Sequence, residues 1–184
     1  MVVGSVMLPE VSIGRGRFKA LPSKYALLFM TWYSRGGSSI SLYRLLLITY
    51  LASHIVRYVF EQPPINSKSI LSDLSDLVSE GLIELRTINN RLMVRVTDRG
   101  GRQLIGELYG MSNEYVLFGG YLIVKLRDLF NELMRLVNAY QNMDAAVLLS
   151  VALREMSLKE SGIEGDALRD LALDLRIPCE NVLG

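Results

Sequence analysis

The pattern of apolar positions predicts three helices in the first part of the chain. A first helix over 24–33 carries its apolar residues at helical spacing on one face. Ser41 is a suitable N-cap for a second helix, which runs from Leu42 to about Phe60 before two prolines stop it. A third helix ends at Gly81 and spaces its apolar residues in the same way: Ile70, Leu71, Leu74, Leu77 and Val78.

Two stretches of period-two alternation follow, LIELRTI and RLMVRVT, on either side of Asn89 and Asn90. Asparagine tolerates the positive φ of a tight turn, so the sequence predicts a hairpin centred there. Its core face would pair Ile83 with Val96, Leu85 with Val94 and Thr87 with Leu92, and its other face Glu84 with Arg95 and Arg86 with Met93. In this register Arg95 faces a carboxylate, whereas Arg86 and Arg91 do not.

The second part of the chain has a helical pattern. Thr97 and Asp98 can cap a short fourth helix through Tyr109, and residues 110–113 form the expected domain boundary. Within 121–143, apolar residues recur at alternating spacings of four and three, which is typical of a coiled-coil seam: Leu122, Leu126, Leu129, Leu133, Leu136, Tyr140 and Met143. We expect this seam to form a dimer interface. Two more helices are predicted, over 145–156 and 166–175.

Residues 67–105 carry a resemblance to a known family. The text LSDLVSEGLIELRTINNRLMVRVTDRGGRQL resembles the recognition helix, strand start, wing and exit of winged helix-turn-helix regulators of the MarR-like and PadR-like type. The resemblance covers about residues 24–109. It implies binding to double-stranded DNA as a homodimer, with the third helix in the major groove, the wing on the backbone or minor groove, and terminal helices forming the dimer.

The resemblance also assigns DNA-contacting residues by position. The start and outer side of the recognition helix correspond to Asn66, Ser67, Lys68, Ser69 and Ser72. The wing corresponds to Arg86, Asn89, Asn90, Arg91 and Arg95. The predicted recognition helix is acidic, because it sets one lysine against Asp73, Asp76 and Glu80.

The charge of the chain is unevenly distributed. Residues 1–110 hold 13 Lys and Arg against 8 Asp and Glu, whereas residues 111–184 hold 7 against 11. A basic half of this kind fits a polyanionic partner. Glycine and proline in residues 1–23 predict an extended basic arm with Arg15, Arg17 and Lys19, which is either a disordered tail or an arm that binds the minor groove or RNA.

Several classes of function are excluded by what the sequence lacks. His54 and the single cysteine, Cys179, have no neighbouring partners for a metal site or a catalytic thiol. No phosphate-binding loop, dinucleotide fingerprint or nucleophile elbow is present. We therefore expect no enzyme activity, cofactor or metal. Charged residues interrupt the apolar stretch 42–60, and no signal-peptide pattern begins the chain, so we expect no membrane span and a cytoplasmic location.

These observations predict a mainly α fold with a small β-hairpin wing. The expected regions are a basic arm over 1–23, a winged helix-turn-helix domain over 24–110 and a helical dimerisation or interaction region over 111–184. The leading hypothesis is a dimeric DNA-binding protein, either a transcriptional regulator or a DNA-organising or partition factor. The alternative is a winged-helix protein-interaction module without DNA binding, whose acidic third helix and acidic C-terminal half contact a protein partner.

Overall fold

The computed structural model describes residues 8–34, 39–60 and 67–159 together with residues 167, 169–171 and 173, and at 103–105 only the backbone. The helices are α1 Lys24–Tyr33, α2 Leu42–Leu51, α3 Lys68–Ser79, α4 Asp98–Arg102, α5 Leu126–Tyr140 and α6 Ala145–Lys159. The strands are β1 Glu10–Ile13, β2 Gly16–Leu21, β3 Ile40–Ser41, β4 Ile83–Ile88, β5 Arg91–Val96, β6 Tyr115–Phe118 and β7 Leu122–Lys125. The fold is mixed α/β, with more strand than the mainly α prediction allowed.

The predicted hairpin is confirmed in its turn and in its register. Asn89 and Asn90 have φ values of 50° and 59°, and every pair from Ile83 opposite Val96 to Ile88 opposite Arg91 is the predicted one. The short strand β3, which the sequence analysis did not predict, adds to β5 and gives a three-stranded sheet in the order β3-β5-β4.

The predicted core face of this hairpin is wrong over its outer half. Val94 is buried, but Leu85, Thr87 and Leu92 are exposed on the same face. The core extends only under the base of the hairpin, so the tip projects beyond it.

A second, four-stranded sheet has the order β1-β2-β6-β7. The hairpin β1–β2 turns at Gly14, which has a φ of 60°, and β2 pairs in parallel with β6. The described part of the predicted arm is therefore built into a sheet, and this sheet joins residues on both sides of the boundary predicted at 110–113. The helical pattern predicted from 121 is wrong for its first residues, because Leu122 and its neighbours form β7 after a turn at Gly119 and Gly120.

Helix α2 is shorter than predicted. Ser41 caps it as expected, accepting a hydrogen bond from the Arg44 amide, but the helix ends at Leu51 and is followed by turns. His54, which the predicted helix includes, lies in these turns and is exposed. Thr97 caps α4 as predicted by accepting from the Gly100 amide, and the chain then continues through π-helical and 3₁₀ turns to Met111.

One hydrophobic core joins both sheets through α1, α2 and α5. Phe29 of α1 stacks on Phe130 of α5 with ring centroids 4.2 Å apart. The predicted dimer seam is wrong, because Leu126, Leu129 and Leu133 are buried in this core, while Leu122, Leu136 and Tyr140 pack against it. An amphipathic helix buries its apolar face on the nearest apolar surface, which here belongs to the same chain.

The end of the described chain agrees with the remaining helix predictions. Helix α6 begins at Ala145 as predicted and extends to Lys159. The described positions between 167 and 173 are helical. Throughout the described ranges, no helix combines the length and apolarity needed to cross a membrane.

Candidate nucleic-acid interface

Helix α3 is placed by its cap and by its apolar face. Ser67 is buried, accepts a hydrogen bond from the Ile70 amide, and donates to the Val59 carbonyl at 2.7 Å. Its predicted contact with DNA is therefore wrong, because its hydroxyl is committed to the start of the helix. The buried residues Ile70, Leu74 and Leu77 fix α3 against the core.

The outward face of α3 is polar and carries no carboxylate along its centre. Residues spaced three or four apart share one side of a helix, and here the exposed ones are Lys68, Ser72, Ser75 and Ser79. Ser69 is also exposed near the start. Asn66 lies outside the described residues.

Two of the three α3 carboxylates are held at the side of the helix by partners elsewhere in the chain. Lys24 of α1 pairs with Glu80 at 2.5 Å, and the Tyr58 hydroxyl donates to Asp73 at 2.5 Å. Burial raises the pKa of Asp73, although the Tyr58 hydrogen bond opposes this rise. Burial lowers the pKa of Lys24, but its contact with Glu80 outweighs burial and leaves that pKa raised. The ion pair with Lys24 therefore offsets part of the negative charge at α3. The exposed carboxylate of α3 is Asp76.

The arginines of the β4–β5 hairpin, the predicted wing, differ in their pairing: Arg95 and Arg91 agree with the prediction and Arg86 does not. Glu84 contacts Arg86 of its own strand at 2.9 Å and Arg95 of the opposite strand at 3.8 Å. Arg86 is thus paired, because residues two apart on one strand share a face. Among the described residues, Arg91 forms no ion pair and stands exposed beside the turn.

A cavity of about 530 Å³ separates the wing tip from α2 and the start of α6. Its walls are Ser41, Leu42, Tyr43, Arg44, Leu46, Asn90, Arg91, Leu92 and Ala145. Arg44 donates to the carbonyls of Gln141 and Met143 at 2.7 and 2.6 Å, so it secures the end of α5. The walls of this cavity hold two arginines, Arg44 and Arg91, and no carboxylate.

Sequence reasoning missed a second cavity, of about 400 Å³, at the base of the wing. It is lined by Trp32, Arg95, Val96, Thr97, Asp98, Gly101 and Arg102. Trp32 is half-buried and lies near Phe29 with ring centroids 6.2 Å apart. Three separate elements contribute these residues, so no local motif could have revealed the cavity.

The three basic residues of the predicted arm are spread over the first hairpin. Arg15 lies in the turn, Arg17 is exposed, and Lys19 pairs with Glu114 at 2.8 Å. In the described part of the chain, no group of His, Cys, Asp and Glu side chains could hold a metal ion. Cys179 lies outside that part.

Comparisons with known proteins add no family assignment. A scan against protein-family models, a search of curated proteins and a search of solved structures each find no significant match to this chain.

Proposed function

We propose that this chain is a winged-helix protein that binds double-stranded DNA, as a transcriptional regulator or as a DNA-organising or partition factor. The observation that carries the proposal is the element order α1, α2, α3 and then the hairpin β4–β5, in which β3 pairs with β5. Three helices followed by a two-stranded wing is the order that the family resemblance implies.

The surface of α3 supports this proposal. Its outward side chains are short, so a phosphate backbone or base edge can approach the helix closely, and Lys68 is the cation at its first turn. Because Lys24 forms an ion pair with Glu80, less negative charge opposes the DNA than the sequence of the predicted recognition helix implies.

The wing supplies the phosphate contact in this proposal. Arg91 extends from the tip without an ion pair among the described residues, whereas Arg86 and Arg95 share Glu84. A cation placed at a phosphate releases condensed counterions, so its removal changes the salt dependence of binding. Arg91 therefore dominates the salt-dependent part of binding by the wing.

The test is fluorescence anisotropy of a labelled random duplex, starting at low salt and continued through a salt series. The wild type is compared with Arg91→Ala, and Arg86→Ala is the matched control from the same hairpin. We expect Arg91→Ala to reduce the slope of log K against log salt by about 0.9 per chain, and Arg86→Ala to reduce it less. Absence of duplex binding at low salt, or an unchanged slope for Arg91→Ala, would contradict the proposal.

One observation favours the alternative of a protein-interaction module. Leu71 and Val78 on α3 are 45% and 39% exposed, and Leu85 and Leu92 on the wing are 42% and 40% exposed. Exposed apolar side chains on both elements suit a protein partner. In this alternative, Leu71→Ser removes partner binding and no duplex binds.

Self-association remains a prediction of the resemblance, and it would use a surface other than the buried α5 seam.

A further inference from the structure

The four-stranded sheet has an apolar face that points away from the core. Strand pairing places eight side chains on this outer face: Val11, Ile13, Phe18, Ala20, Tyr115, Leu117, Ile123 and Lys125. The alternating residues Leu21, Val116 and Phe118 belong to the core instead. Seven of the eight outer residues are apolar or aromatic; Leu117 is buried, Ile13, Tyr115 and Ile123 are exposed, and the other three are half-buried.

Two aromatic residues lie side by side on the central strands of this face. Phe18 precedes Lys19, Tyr115 precedes Val116, and Lys19 pairs with Val116. Phe18 and Tyr115 are therefore neighbours across β2 and β6, at a strand separation of about 4.8 Å. Lys125 pairs with Tyr115 on the next strand, so the row ends in a cation.

The Tyr115 ring is exposed, the Phe18 ring is half-buried, and neither is stacked on another ring of the described residues. Tyr115 as a whole is 61% exposed. A Cβ built on Gly16 would lie 2.6 Å from Cε2 of Phe18, so the Phe18 ring stands directly over this glycine. Because Gly16 has no side chain, the Phe18 ring can pack against the sheet at this position.

The charge around the outer face is positive. On the outer face and beside it lie three cations, Lys125, Arg15 and Arg127, whereas Glu10, Arg17 and Lys19 alternate onto the opposite face of the sheet. Glu114 is paired with Lys19. Arg15, in the β1–β2 turn, and Arg127, beside β7, are exposed at the margin of the face. A polyanion is therefore complementary to this margin.

We infer that the outer face binds single-stranded nucleic acid, with bases stacked on Phe18 and Tyr115 and phosphates contacting Lys125 and Arg15. Unpaired bases offer flat apolar faces joined by an anionic backbone, which matches adjacent aromatic rings bordered by cations. Paired bases in a duplex hide those faces. This site uses neither α3 nor the wing, so it does not depend on the proposed duplex binding.

The test uses the full chain and two fluorescein-labelled probes, a 12-nucleotide oligo-dT and a 12-nucleotide oligo-rU, which separate DNA from RNA. Affinity is measured by anisotropy for wild type, Phe18→Leu and Tyr115→Leu. Tyr115→Phe keeps the ring, and Ile123→Leu changes an aliphatic neighbour on the same face. We expect each ring-removing variant to weaken binding of at least one probe about fivefold or more, and both controls to bind as the wild type does. Thermal unfolding checks that every variant is folded.

A charge variant tests the backbone contact separately. Lys125→Gln should reduce the salt slope by about 0.7, the value for one phosphate contact on a single strand, while Arg91→Ala leaves single-strand binding unchanged. Three outcomes would overturn the inference: no binding of either probe at low salt, equal competition by a duplex of the same length, or wild-type affinity in both ring-removing variants. If those variants alter only sedimentation, the face is a contact between protein chains and the inference is wrong.

Discussion

The two sheets of this protein are stabilised in different ways. The three-stranded sheet forms between residues 40 and 96, and its longest ladder closes across a turn of two asparagines. The four-stranded sheet instead joins strands from distant parts of the chain, because Lys19 pairs with Val116. The first sheet rests on local chemistry, whereas the second requires a long loop to close before its central strands can pair.

The sheets also differ in what they present to solvent. The β4–β5 hairpin exposes arginines together with the apolar residues Leu85 and Leu92, and two of its arginines share Glu84. The outer face of the four-stranded sheet is mostly apolar, and Lys125 is its one cation. The two sheets therefore present chemically different surfaces to solvent.

The largest expected effect tests whether the two sheets share one cooperative core. Phe130→Ala removes the ring that stacks on Phe29 in the layer between them, and we expect the free energy of unfolding to fall by about 3–5 kcal/mol. The measurement is urea unfolding followed by far-UV circular dichroism and by the fluorescence of Trp32, the only tryptophan.

Both probes should shift together, because α1 and α5 belong to the same core. Ile123→Ala, on the exposed outer face, is the control and should cost far less. If the Trp32 transition stayed at its wild-type midpoint while the dichroism transition moved, the sheets would be independent units.

The comparison also explains what sequence could and could not predict. The wing was predictable in register because Asn89 and Asn90 set the turn and alternation then fixes each pair. The register also predicts the ion pair between Arg95 and Glu84, but not the one between Arg86 and Glu84, which joins two residues of the same strand. Serine suits both an N-cap and a DNA contact, so the sequence does not separate these roles for Ser67, whereas its burial does.

The four-stranded sheet was missed for a physical reason. Residues 122–125 continue the apolar spacing of α5, so the hydrophobic periodicity does not show where β7 ends and α5 begins. Only the glycine pair at 119–120 marks a turn. A parallel partner far along the chain leaves no local trace in β2. The buried seam was likewise misassigned, because periodicity shows that a helix has an apolar face but not which surface covers it.

The second prediction tests the junction that anchors the wing. A Cβ on Gly100 would lie 2.1 Å from the Leu82 carbonyl oxygen, which is backbone and cannot move aside cheaply. Gly100→Ala should therefore destabilise the protein by about 3 kcal/mol, the upper end for overpacking. Gly101→Ala is the matched control, because its Cβ meets open space and alanine favours a helix. Equal stability of the two variants, measured by urea unfolding, would mean that α4 does not press against β4.

The third prediction makes the same kind of comparison in the four-stranded sheet. Gly119 and Gly120 have φ values of 59° and 79°, so alanine is strained at both. A Cβ on Gly119 would also meet Tyr121 at 2.5 Å, whereas one on Gly120 would meet open space. We expect losses of about 2 kcal/mol for Gly119→Ala and about 1 kcal/mol for Gly120→Ala. Thermal unfolding of the pair separates backbone strain from crowding, and a larger loss at Gly120 would contradict this turn geometry.

The smallest expected effect concerns Asp73, which holds α3 to the chain segment after α2. Burial raises the pKa of Asp73 in the folded state, so the folded protein binds its proton more tightly than the unfolded chain does. Stability therefore falls as pH rises from the unfolded pKa of about 3.9 through the folded pKa. Asp73→Asn keeps an acceptor for Tyr58 but cannot ionise, and it should gain on the wild type over that range by less than about 1 kcal/mol, since the site is only half-buried. Urea unfolding of both proteins from pH 3 to 7 measures the difference.

Tyr58→Phe removes the hydrogen bond that stabilises the Asp73 carboxylate, so in that background the fall in stability with rising pH should be steeper. A difference that is constant across pH would show that Asp73 ionises equally well in the folded and unfolded states.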